Sequence, residues 1–266
     1  MSAAARRRWL VTVAAIVGMS VTAFLGNWQL SRAAYKRGLQ QDIAARQSMP
    51  PLDNATLSDL PQVHDGQHQP VQLRGRWLDR YTVYLDNRPL HGRPGFHVLT
   101  PLVLDVPPHG APLRHGVIVV QRGWVARDLR DPAVVPRIDT PGGPVEISGR
   151  LARPPSRMLE LDGARSDTAV VQGEGAAPRA SGSSPIRQNL DLQGFAAEVG
   201  VALAVDGIVL QTGAPSEGLL RAWPEPGAGV EKHYGYAFQW FGLSALIAVL
   251  YVWFQFIAPR RRARPR

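Results

Sequence analysis

The chain contains no cysteine. Disulfides and thiolate-held metals are therefore excluded, and the fold has to rest on apolar burial. Several short patterns of enzyme chemistry are missing as well: no Gly-x-Ser-x-Gly elbow, no Walker A loop and no His-Glu-x-x-His pair. Gly173-Glu174-Gly175 imitates the start of a dinucleotide fingerprint, but Pro178 and the Gly/Ser tract around it deny it a strand and a helix. His64 and His68 have helical metal-pair spacing, yet Gly66 between them and Pro70 after them favour a solvated loop. No enzyme is expected. Finally, residues 1–8 and 258–266 contain no acidic residue.

That last absence explains the formal net charge of +9. Eight arginines lie in the two tails, which leaves 22 basic against 21 acidic residues elsewhere. A basic footprint for nucleic acid is thus not present in the body of the chain, and nucleic acid is not an expected partner. The arginines report topology instead.

Two long uncharged runs explain why. Trp9 to Trp28 reads WLVTVAAIVGMSVTAFLGNW, and Gly235 to Ile257 adds about 23 more residues without charge. At roughly 1.5 Å per helical residue each approaches the roughly 30 Å of a bilayer's hydrocarbon core. A cleavable signal peptide is the rival reading of the first, since Arg6 to Arg8 resemble its basic region. The run is long, however, ends without a small-x-small site, and its helical pattern continues to about Gln47, where Met49-Pro50-Pro51 stops it. We therefore expect an uncleaved anchor at 9–28 and a second span at 235–257. The positive-inside rule puts the tails, 1–8 and 258–266, in the cytoplasm and residues 29–234 across the membrane. Ala14, Gly18, Thr22 and Gly26 offer a small-residue stripe on the first span, with Gly242, Ala245 and Ala248 as its expected counterpart.

Between the spans, short β-rich runs alternate with Gly, Pro, Asp and Asn. Expected strands are Val71–Trp77, Tyr81–Asp86, Phe96–Leu104, Val117–Trp124, Val145–Ala152 and Ala204–Gln211, with one helix near Leu192–Val199. Asp86-Asn87-Arg88-Pro89 and Pro107-Pro108-His109-Gly110 read as turns, and Gln172 to Pro185 as a mobile insertion. The class is α+β: two transmembrane helices flank a β-rich antiparallel sheet or barrel-like domain with an accessory helix.

Five blocks occur in order along the chain: Gly26-Asn27-Trp28-Gln29-Leu30-Ser31-Arg32, Val71-Gln72-Leu73-Arg74-Gly75-Arg76-Trp77, Pro94 to Leu102, Val119-Val120-Gln121-Arg122-Gly123-Trp124-Val125, and the closing HYGYAFQWFGLSAL. Together they resemble the Surfeit locus protein 1 family. The resemblance implies a cytochrome c oxidase assembly factor in the bacterial cytoplasmic or mitochondrial inner membrane. For bacterial members it implies a periplasmic main domain and a part in handling haem a during maturation of the oxidase's large subunit. Gln121 departs from the asparagine that commonly precedes Arg-Gly in the family.

His233, Tyr236 and Trp240 stand at i, i+3 and i+7, so they share one helix face at one membrane surface. Neutral imidazole is an effective axial ligand for haem iron, and the two aromatic rings offer flat apolar walls. The same residues also line membrane interfaces merely because their bodies are apolar and their tips polar. The resemblance carries a haem-related role onto His233, with haem a as a transient cofactor and the oxidase large subunit as partner. A haem-free membrane chaperone or scaffold, binding an oxidase subunit through its outer β domain, is the alternative. Gln239, about 240° round the helix from His233, is expected to bond another helix. Arg122-Gly123-Trp124 at a strand end reads first as structural, with the glycine allowing close backbone approach; Arg74, Arg76 and Arg122 are also candidate partners for haem propionates.

Overall fold

A computed structural model describes residues 2–105, 116–129, 135–158, 185–223 and 229–262. The expected turn at Pro107 to Gly110, the Gly173-Glu174-Gly175 mimic and nearly all of the 172–185 insertion lie outside the described residues. The chain separates into two compact units, Met1–Asp42 with Pro224–Arg266, and Ile43–Trp223.

The first unit is a pair of helices. Helix α1, Ala3–Gln47, is 45 residues long, about 67 Å at 1.5 Å per residue. Both this helix and the C-terminal one, over Ala5–Gln47 and Val230–Arg260, are long and apolar enough to cross a membrane. Only 11% of the most apolar window of the first, and none of the second, is buried. A core helix of a soluble domain would bury such a stripe, so these are candidate transmembrane helices.

The second unit is built on a seven-stranded sheet. In chain order its elements are α2 (Asn54–Ser58), β1 (Pro70–Trp77), β2 (Val83–Leu85), β3 (Gly95–Leu104), β4 (Val117–Ala126), β5 (Pro144–Ala152), β6 (Ile186–Arg187), α3 (Leu192–Val199) and β7 (Leu203–Gln211). The strand order is β1-β5-β7-β4-β3-β2-β6, and β1 also pairs with β3. Five strands therefore close into a barrel, and β2 with β6 continues the sheet from the other half of β3. All pairings are antiparallel except β4 with β7 and β2 with β6.

Alternation in β1 explains how the barrel fills. Val71, Leu73, Gly75 and Trp77 are buried while Gln72, Arg74 and Arg76 are exposed, as a strand with one face on a core requires. Val71, Leu73 and Trp77 join Leu102, Ile118, Val120, Ile147, Leu151 and Val209 in one cluster with Leu57 of α2. Gly75 stands where β1 meets both β5 and β3, and a Cβ there would collide with the Val103 carbonyl oxygen. Closure thus depends on a residue without a side chain. Helix α3 packs Leu192 and Phe195 on a second cluster with Leu85, Leu99 and Val119. Asp191 caps its start by accepting from Gly194 N–H at 2.9 Å, and Gly200 ends it at φ 74°.

One sequence expectation is corrected here, and one strand lay outside the expectations. The strand expected from Tyr81 begins only at Val83, because Asp79–Tyr81 is a 3-10 turn. The Asp79 carbonyl accepts from both the N–H and the hydroxyl of Thr82, at 2.9 and 2.7 Å, and so holds that turn. Strand β6 has two residues, too few for periodicity to reveal.

Candidate functional site

The C-terminal helix α4, Val230–Val252, runs into a π turn at Trp253–Ile257 and then into α5, Ala258–Arg262. It lies antiparallel to α1 within the helical unit. From one end to the other, the Gln255 amide donates to the Arg8 carbonyl (3.3 Å), the Thr12 hydroxyl meets the Tyr251 hydroxyl (3.0 Å), and the Ser244 hydroxyl donates to the Met19 carbonyl (3.2 Å). The Phe241 ring lies against Gly26, so close that a Cβ at Gly26 would stand 2.8 Å from it. The small-residue stripe is thus used, but not as expected. Ala14, Gly242 and Ala245 are exposed, whereas Thr22, Gly26 and Ala33 are buried. A strict four-residue repeat drifts about 40° per step on a helix of 3.6 residues per turn, so Ala14 and Gly26 do not share a face.

At the far end of this pair is His233. Its Nδ1 is 2.8 Å from Gln29 Oε1 across the two helices. An amide oxygen can only accept, so with Oε1 facing the ring Nδ1 is the donor, and in the neutral imidazole Nε2 keeps its lone pair. Among the described residues Nε2 has no partner. His233 and Trp240 are half-buried, and Tyr236 is 53% exposed. At the next residue of α4, the Arg37 guanidinium lies 5.2 Å from the centre of the Tyr234 ring. The site is therefore an imidazole held from one side by an amide, with an accessible nitrogen and two aromatic rings on its helix face.

The sequence reading passed over Gln29. A signal for it was present: it is the first polar side chain after Trp28, at the helix end that antiparallel pairing brings to His233. Gln239 is exposed on α4, and among the described residues it bonds no helix of this chain.

The SURF1 family model matches residues 16–245, most of the chain. The chain belongs to the SURF1 family. This is a cytochrome oxidase assembly family and not a catalytic one. No curated protein matches the chain closely enough to count as a relative. The match includes His233, Tyr236, Trp240 and Gln29.

Of the arginines considered for propionates in this SURF1-family chain, Arg76 is exposed on β1, whereas Arg122 and Arg74 are already engaged. Arg122, a candidate for propionates, has a side chain with no exposure and lies 2.9 Å from Glu217. Arg74 pairs with Glu146 at 3.2 Å. A cleft of about 430 Å³ in the barrel unit is lined by Asp86, Asn87, Arg88 and Arg127, among others. Its guanidinium groups are taken up too: Arg127 forks onto both oxygens of Asp86, and Arg88 donates to the Ser156 and Gln188 carbonyls. Arg153 approaches His64 Nδ1 at 3.5 Å, and among the described residues no three His, Cys, Asp or Glu side chains cluster to hold a metal ion.

His97 of β3 is half-buried, edge-on against Trp223, with ring centres 5.6 Å apart. Burial, aided by the charge of Arg88, pushes its imidazole down to about 4 from an ordinary 6.5. The native state therefore binds fewer protons than the unfolded chain between those two values. Stability is full above pH 6.5 and falls as the pH drops toward 4, by at most about 3 kcal/mol. In urea titrations of the detergent-solubilised chain followed by tryptophan fluorescence, His97→Gln should flatten that stretch of the pH profile. An unchanged slope would assign it to other groups.

Proposed function

We propose that this chain is a membrane-anchored assembly factor that aids insertion of haem a into the large subunit of cytochrome c oxidase, with His233 as the ligand to the haem iron. One observation carries the reading: Nδ1 of His233 is bonded to Gln29, and Nε2 is left without a partner on the helix face of Tyr236 and Trp240. That donor set fits the group. When bound, haem a supplies an iron atom with axial positions for imidazole and a broad apolar ring. For its part, the chain offers a lone pair at Nε2 and aromatic surfaces at Tyr236 and Trp240. His233 would be a single protein ligand to the iron, which suits transfer better than retention.

The membrane placement belongs to the same proposal. Arginine-rich tails at both ends favour cytoplasmic termini in a bacterial inner membrane, with the barrel unit in the periplasm.

The test is the absorption spectrum of the detergent-purified chain, wild type and His233→Ala, from cells that make haem a. The wild type should carry a haem band, and the variant should lose it with its circular dichroism unchanged. If neither protein carries haem, the ligand role fails. The working account would then be a haem-free chaperone or scaffold that binds an oxidase subunit through its β unit.

A further inference from the structure

We infer that Gln29 is a positioning residue for His233: its amide oxygen fixes the imidazole as the Nδ1–H tautomer and thereby holds Nε2 ready for iron. This deepens the proposed function and rests on its reading of His233 as the ligand. The tautomer of a neutral imidazole is set by the bond that its other nitrogen makes. Here that bond is 2.8 Å long and joins residues 204 positions apart in sequence.

Its geometry is held by packing. Gly26, one turn before Gln29, receives the Phe241 ring of α4, and Ala33, one turn after, is fully buried. On α4, Ala237 is 2% exposed, one turn beyond His233. The two helices thus meet through small residues on either side of the hydrogen bond, which limits the freedom of both side chains.

Ligating histidines usually donate their second N–H to a carboxylate, a carbonyl or water, and the partner sets ring orientation and basicity. A neutral amide orients the ring while giving it less electron density than a carboxylate would. Iron would be held firmly enough to capture and loosely enough to pass on. One imidazole beside two aromatic rings suits an iron already enclosed by a porphyrin better than a bare metal ion, which takes several protein ligands.

The experiment compares the full chain in detergent as wild type, Gln29→Met and Gln29→Glu. Methionine keeps the length of the side chain and removes the amide acceptor; glutamate restores a strong acceptor. The tautomer is read first without haem, from the ¹⁵N shifts of the His233 ring. We expect Nδ1–H in the wild type and Gln29→Glu, and a mixture in Gln29→Met. Each protein is then titrated with ferric haem a, and the midpoint potential of the complex is measured. Gln29→Met should bind roughly 10- to 100-fold more weakly. Gln29→Glu should bind at least as tightly as wild type, at a lower potential, which shows that position 29 acts through the ring and not through folding.

If Gln29→Met keeps the wild-type tautomer, or mixes tautomers yet keeps the wild-type affinity and potential, the positioning role is overturned while His233 remains a ligand. If the wild type itself binds no haem a although Gln29→Met still mixes the tautomers, the haem reading falls, and the role of Gln29 in readying Nε2 for iron falls with it.

Discussion

Replacing Arg122 with methionine should destabilise the barrel unit by about 3 kcal/mol. The Arg122 side chain is wholly buried, 2.9 Å from Glu217, whose side chain is 18% exposed. One guanidinium nitrogen donates to the Thr140 hydroxyl at 2.7 Å, and the group lies 4.7 Å from the centre of the Trp77 ring. Removing one member of such a pair is costly because the remaining charge stays out of water without its partner; about 3 to 5 kcal/mol is usual. The lower end applies here. Glu217 keeps a second contact to Arg221 at 3.4 Å and some access to solvent. Denaturant titration of the detergent-solubilised chain, followed by tryptophan fluorescence, reads the loss directly.

The matching double variant sharpens the result. Arg122→Met combined with Glu217→Gln removes both charges, and should recover most of what the single change loses. Glu217 is held at φ 59°, next to Gly218 at 77°, in the turn that joins Ser216 to Leu219. The pair therefore also ties this turn to β4. A single variant as stable as wild type would show that the ion pair is replaceable and that the turn is anchored by Arg221 alone. In either case, Arg122 is a structural arginine, sequestered where no propionate could reach it without unfolding that pair.

Arg122 also shows where sequence reasoning stops. In β4 and β3 the pairing passes from Gly123 opposite Val98 to Gln121 opposite Leu99, so Arg122 is the extra residue of a β-bulge. Bulges re-aim side chains. The run Val117 to Trp124 is apolar enough to read as a strand, but nothing in its alternation marks one residue as unpaired. Arg122-Gly123-Trp124 at a strand end reads as structural, but which partner holds the arginine is not legible until the register is known. Closure of β1 on β3 was hidden for the same reason. Gly75 was legible as a member of the inward face, whereas its contact with Val103 is a property of two strands in register.

Local signals were more informative. Proline at 50 and 51 marks the end of a 45-residue helix that stops at Gln47. Asp191 and Gly200 bracket α3 because capping chemistry is written in adjacent residues. The shared face of His233, Tyr236 and Trp240 follows from helical spacing alone. Its partner Gln29 does not, since no periodicity within either helix can say which residues of the other it meets.

Gly26→Leu should disrupt the helix pair and, through it, the His233 site. A Cβ at Gly26 would stand 2.8 to 3.0 Å from three atoms of the Phe241 ring, and leucine adds three further carbons. Overpacking of this kind costs about 1 to 3 kcal/mol, and within a bilayer there is no hydrophobic gain between helices to offset it. The strain should be relieved by parting or rotating the helices one turn from Gln29, which breaks the bond to His233. The absence of cysteine makes the measurement clean: two cysteines introduced at exposed Val13 and Val249 would be the only thiols to carry nitroxide labels. Distances between the labels should be narrowly distributed in the otherwise native chain and broad in Gly26→Leu. Adding Phe241→Ala, which empties the space the leucine needs, should narrow the distribution again and restore the His233 tautomer. A narrow distribution in Gly26→Leu alone would mean that the Phe241 ring swings aside at little cost. The glycine would then not be what sets the approach of the two helices.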